Sequence, residues 1–111
     1  MMKYKYWFAS LDKLTNIRKR KLLQFIGTSK DIYEAGRDML MDSGILPEKI
    51  CDYIIESKDE TDIDRGINRL YADNIKMITL EDEGYPTQIE KICDAPYALF
   101  YKGTLPAYDE R

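Results

Sequence analysis

Histidine is absent from this 111-residue sequence, cysteine occurs twice, proline four times and glycine six times. Without an imidazole there is no neutral-pH base of the usual kind and no nitrogen ligand for zinc, which excludes His-dependent hydrolases and Cys/His metal sites. Cys51 and Cys93 stand far apart and outside any CxxC pattern, so reduced structural thiols are expected. No Gly-rich phosphate loop is present and no nucleophile–base pair stands out, so neither catalytic residues nor a cofactor are expected. No stretch approaches the roughly 18 to 20 consecutive apolar residues of a membrane span, and the opening MMKYKYWFASLDK is too short in apolar residues for a secretory signal. A cytoplasmic protein without membrane contact is the expectation.

What is there suits one small domain. Apolar residues make up 44% of the chain and charged residues 33%, enough for a core with little to spare. The net charge of −3 hides an asymmetry. Residues 1–30 carry eight cationic side chains against Asp12 alone, a charge of +7, and the rest carry nine against nineteen acids, −10. A basic front on an acidic body is suited to steering a polyanion to one face, although the pI is far below that of a dedicated nucleic-acid binder.

Tyr4, Trp7, Phe8 and Leu11 recur at spacings of three and four, which predicts a helix over Tyr4 to Leu11. Leu14-Thr15-Asn16 interrupts that pattern, and Ile17, Leu22, Phe25 and Ile26 predict a second helix ending at Gly27. Thr28 or Ser29 caps a short third helix through Ile32, Tyr33 and Ala35. Gly36 weakens it before Met39, Leu40 and Met41, and Ser43-Gly44 closes the next turn. Pro47 opens a helix with Ile50, Tyr53, Ile54 and Ile55. After a polar connection at Glu56 to Glu60, Thr61 with Asp64 marks the start of a helix through Ile63, Ile67, Leu70 and Tyr71. Ile75 to Leu80 reads as a strand, Glu81 to Gly84 as a turn, Pro86 to Ile92 as a helix, and Tyr97 to Tyr101 as a second strand. The expected architecture is mainly α, with a helical domain over 1–73 and a strand-helix-strand segment over 74–111. Two candidate strands leave sheet edges that a full α/β domain would cover, so a partner or a further stretch of chain is expected to complete the sheet.

The most specific string is Gly84-Tyr85-Pro86, continuing through Ile89, Ile92 and Asp94-Ala95-Pro96 to Leu99-Phe100-Tyr101-Lys102-Gly103. Taken singly, these residues are conformational punctuation. In order and spacing they resemble the stretch just before the Rossmann-like domain in the DNA processing protein A family (DprA, also called Smf), and the resemblance extends back over almost the whole chain. It implies that 1–73 is a SAM-like, helix-hairpin-helix-type domain and that 74–111 leads into a Rossmann-like domain absent from this sequence. It further implies a non-enzymatic accessory of natural transformation that protects single-stranded DNA and helps load RecA, with self-association left open. The family's main DNA-binding G-[ST]-R motif has no counterpart here.

Within the chain, Arg18-Lys19-Arg20-Lys21 is the leading candidate for DNA contact, set against the plainer reading of a solvated helix face. Gly44, in Ser43-Gly44-Ile45-Leu46-Pro47, could cradle a phosphate or simply end a helix. Asp42 and Glu48 beside it would repel phosphate. Tyr4, Tyr6, Tyr101 and Tyr108 are the expected exposed stacking platforms, while Tyr53 and Tyr71 fall on expected core faces. The acidic groups 59–64 and 81–83 lack the interleaving of a calcium loop and read as solvated helix ends and turns rather than a metal site. A protein-interaction module that never touches DNA is the competing functional class.

Overall fold

In the first helix, α1 (Met2–Ala9), the aromatic stripe does what its spacing predicts: Trp7 and Phe8 are fully buried, and the chain continues inward through Leu11 and Leu14. Trp7 anchors the centre of the molecule. Its indole Nε1 donates to the Ser57 hydroxyl at 2.9 Å, and its ring meets Tyr33 edge-on at 4.9 Å. The computed structural model describes residues 2–92 and 94–103. The expectations for Cys93, Tyr108 and the end of the 74–111 segment lie outside those residues.

Five helices follow: α2 (Asn16–Phe25), α3 (Ser29–Glu34), α4 (Arg37–Asp42), α5 (Glu48–Glu56) and α6 (Glu60–Ala72). Their starts are chemically legible. Thr15 accepts from the Arg18 amide to cap α2, and Thr28 with Asp31 forms a reciprocal capping box on α3. For α6 the cap is Asp59, which accepts from the Thr61 and Asp62 amides, and not the expected Thr61–Asp64 pair. A carboxylate just ahead of the first turn meets two orphan N–H groups and the positive end of the helix dipole together. Gly36 separates α3 from α4 outright.

Helix α6 lies against α1 at close range. A Cβ on Gly66 would fall 2.1 Å from the Tyr6 Oη and 2.4 Å from its Cζ, so the missing side chain makes room for the Tyr6 ring. After α6, Asn74 takes φ 57°, the left-handed conformation that asparagine tolerates, and turns the chain into β1 (Ile75–Thr79).

Strand β1 pairs antiparallel with β2 (Ala98–Lys102), from Ile75 opposite Lys102 to Thr79 opposite Ala98. The segment is thus a wide hairpin rather than a parallel crossover unit. The helix expected after Pro86 is the single turn α7 (Thr87–Glu90). Among the described residues the protein is mainly helical, with one two-stranded antiparallel sheet. No helix among them is long and apolar enough to cross a membrane.

The hairpin packs on the helices. Tyr97, 1% exposed, belongs to the same buried cluster as Trp7, Leu22, Ile32, Leu40 and Ile54, and its ring stands edge-on to Phe8 at 4.7 Å. Three expected core residues sit elsewhere. Ile17 and Phe25 are exposed on α2, and Tyr71 is 66% exposed on the last turn of α6. Ile17 and Leu22 are five residues apart, about 140° around a helix, so both cannot face inward. Leu22 wins, and brings Lys19 in with it.

Candidate nucleic-acid interface

Four consecutive residues on a helix point in four directions, and the basic run of α2 is divided accordingly. Lys19 is only 6% exposed; its Nζ donates to the Ala9 carbonyl at 3.3 Å, and burial pushes its pKa down against the pull of Asp12. That carbonyl is one of the orphan acceptors at the end of α1, so the ammonium caps the helix. Arg20 does the same for α7. Its two terminal nitrogens donate to the Glu90 carbonyl at 2.6 Å and the Ile92 carbonyl at 2.9 Å.

Arg18 and Lys21, three apart and therefore on one face, form no ion pair among the described residues. Lys21 is exposed and Arg18 partly so. The surface available to a polyanion on α2 is therefore two cations wide, not four.

Much of the remaining basic front is committed to the acidic body. Lys3 pairs with Glu60 of α6 at 2.9 Å, Lys5 pairs with Asp82 at 2.6 Å, and Lys13 lies over the Tyr53 ring. Pairing the two halves explains how a chain with such unequal ends folds into one body. It also cancels part of the field that the asymmetry would otherwise project.

Gly44 is exposed with φ 69°, and its N–H donates to the Met41 carbonyl at 3.2 Å. That amide closes α4 and is not turned toward a ligand. The neighbouring cation, Arg37, is bound to Asp52 at 2.7 Å and Glu48 at 2.9 Å. Arg37 is thus occupied between α4 and α5, with Glu48 and Asp52 facing it.

The Gly84-to-Gly103 string is a structural unit. The Tyr85 hydroxyl donates to the Pro96 carbonyl at 2.6 Å, which ties the two turns of the string together over α7. Pro86 is fully buried at the head of α7, and a Cβ on Gly84 would fall 2.9 Å from Ile78 Cδ1. Asp94 is exposed, Lys102 ends β2, and Gly103 follows at φ 74°.

The acidic turn after β1 differs from the solvated loop expected of it. Glu81 is half-buried; one carboxylate oxygen accepts from the Ser29 amide at 3.1 Å, and the other accepts from the Tyr97 hydroxyl. Burial and the Glu81 contact together raise the Tyr97 phenol pKa well above its ordinary value. Asp82 accepts from the Lys5 ammonium and from the Thr79 amide and hydroxyl at 2.8 and 3.0 Å. Burial pushes its carboxyl up, but the Lys5 and Thr79 donors outweigh that and hold the pKa below the usual range. Two side chains thus rivet the hairpin to α1 and α3. Among the described residues no group of acidic or cysteine side chains is arranged to hold a metal ion.

The expected stacking tyrosines are largely engaged. Tyr4 sits edge-on to Tyr33 at 5.2 Å, Tyr6 fills the space over Gly66, and Tyr101 is half-buried on β2. Tyr53, expected in the core, is half-buried with its hydroxyl on Asp12 at 3.0 Å. Comparison with protein-family models, curated proteins and solved structures gives no match for this chain.

Proposed function

We propose that this chain is the front portion of a non-enzymatic DNA-processing accessory of the cytoplasm, of the kind that its resemblance to the DprA family implies. In that reading the helices take the SAM-like form, and the complete protein shields single-stranded DNA and helps load RecA during natural transformation. The observation that supports it is the Gly84-to-Gly103 string. Its residues are bound to one another by Tyr85 and to α2 by Arg20, as a rigid lead from a helical module into a following sheet requires.

Direct DNA contact by this portion rests on Arg18 and Lys21 and is weak and without base specificity, since among the described residues no basic groove with free aromatic faces accompanies them. The second reading, a helical protein-interaction module, draws on the commitment of Lys3, Lys5, Lys19 and Arg20 to partners within the fold.

Fluorescence anisotropy of a labelled single-stranded oligonucleotide over a salt series tests the choice. Two phosphate contacts predict a log–log salt slope of about −1.4, falling to near zero when Arg18 and Lys21 are both changed to Ala. Tight binding at high salt that survives those changes would overturn the placement of the surface. No binding at any salt would favour the interaction module.

A further inference from the structure

Where α2, α3 and α4 meet, they leave an open groove of about 640 Å³. Its walls are Phe25 and Met39, 57% and 50% exposed, over a floor that includes Ile26. The rim carries Asp31, Glu34 and Asp42, and among the described residues no cation lines it. Asp31 caps α3; Arg37, close by in sequence, is held by Asp52 and Glu48, and Lys58 is turned to the Ala35 carbonyl at 3.1 Å. An apolar trough with three carboxylates around it is thus left without a counter-charge from the lining residues.

We infer that this groove, going beyond the function proposed above, docks a basic amphipathic helix from another protein. The occupant places one bulky apolar side chain between Phe25 and Met39 and brings Lys or Arg at three- and four-residue spacings to the rim. Charge complementarity selects this partner. An acidic or neutral helix would leave three carboxylates beside a desolvated apolar contact, whereas a basic one pairs them as it buries the trough. The volume suits one large anchor and its immediate neighbours. Met39 adds adaptability, since an unbranched thioether repacks readily around different anchors. Binding depends on both components, the apolar anchor and the charge.

The test is selection of peptides of about four helical turns from a random display library on the intact chain, followed by anisotropy of the synthesised winners. Winners should carry a bulky apolar residue flanked by Lys or Arg, and binding should weaken as salt rises. Phe25→Ser removes an exposed wall, and Glu34→Gln with Asp42→Asn neutralises the rim while leaving the Asp31 cap in place. Each variant should keep its helical circular dichroism and bind the winners at least about tenfold more weakly. Enrichment of neutral or acidic peptides, no enrichment at all, or affinity untouched by the rim substitutions would overturn the inference. So would concentration-dependent self-association abolished by Phe25→Ser, because the groove would then belong to a second copy. Lys21 stands one turn before Phe25 on α2, so the two results are separated by substitution: Arg18→Ala with Lys21→Ala should remove the salt-dependent oligonucleotide binding without weakening the peptide, and Glu34→Gln with Asp42→Asn should weaken the peptide without weakening the oligonucleotide.

Discussion

Replacing Gly66 with Ala reverses a familiar expectation. In a solvated helix interior the change stabilises by about 1 kcal/mol, because glycine costs more backbone entropy than alanine. In α6 the new methyl would lie 2.1 Å from Tyr6 Oη, 2.4 Å from Cζ and 2.6 Å from Cε2. Contacts with two atoms of a rigid ring and its hydroxyl oxygen cannot be relieved by one small torsion. Moving α1 away is also costly, since Trp7 and Phe8 beside Tyr6 are fully buried. Overpacking of this kind costs about 1 to 3 kcal/mol. Set against the propensity gain, Gly66→Ala should lose up to about 2 kcal/mol, a fall in Tm of up to about 10 °C for a domain of this size.

The Tyr6→Ala background separates the two contributions. With the ring gone, Gly66→Ala should stabilise by about 1 kcal/mol, so the double-mutant cycle should show a coupling of about 1 to 3 kcal/mol, the overpacking cost itself. Urea denaturation followed by circular dichroism measures all four corners. A Gly66→Ala protein at least as stable as the parent with Tyr6 present, or a coupling below about 0.5 kcal/mol, would refute the close α1–α6 contact.

Two other perturbations test the ties. Arg20→Ala removes both donors from the carbonyls that end α7 and should cost about 1.5 to 3 kcal/mol in urea denaturation, whereas Arg18→Ala and Lys21→Ala should each stay within about 0.5 kcal/mol; equal effects at the three positions would contradict the division of the run. Asp82→Asn removes the Lys5 ion pair, and at neutral pH should cost about 1 kcal/mol. The folded Asp82 pKa lies below its ordinary 3.8, so its contribution is complete above that value and is lost as pH falls through the folded pKa. Thermal melts across acid pH should show parent and variant converging, and a gap that stays constant down to pH values below both pKa values would rule out the carboxylate as its source.

Local patterns in the sequence determined the order of elements. Spacings of three and four set α1, α5 and α6, the short apolar runs set β1 and β2, and Thr28, Gly44 and Pro47 mark helix ends whose chemistry is complete within a few residues. Other features stayed hidden because they depend on how each helix is rotated and on what lies across from it. With Leu22 and Lys19 turned to the core, Phe25 is left out, and the basic run of four divides into two helix caps and two cations without an ion pair among the described residues. The partners in these ties are remote in the chain: Lys5 and Asp82 are 77 residues apart, Arg20 and Ile92 are 72, and Ser29 and Glu81 are 52. No local period encodes such pairings. Glu81 and Asp82 read in sequence as a wet turn because acidic residues beside glycine usually are. Only the packing of the hairpin on α1 and α3 gave them an ammonium, a phenol and an orphan amide to hold, and desolvation made those contacts decide where the hairpin sits.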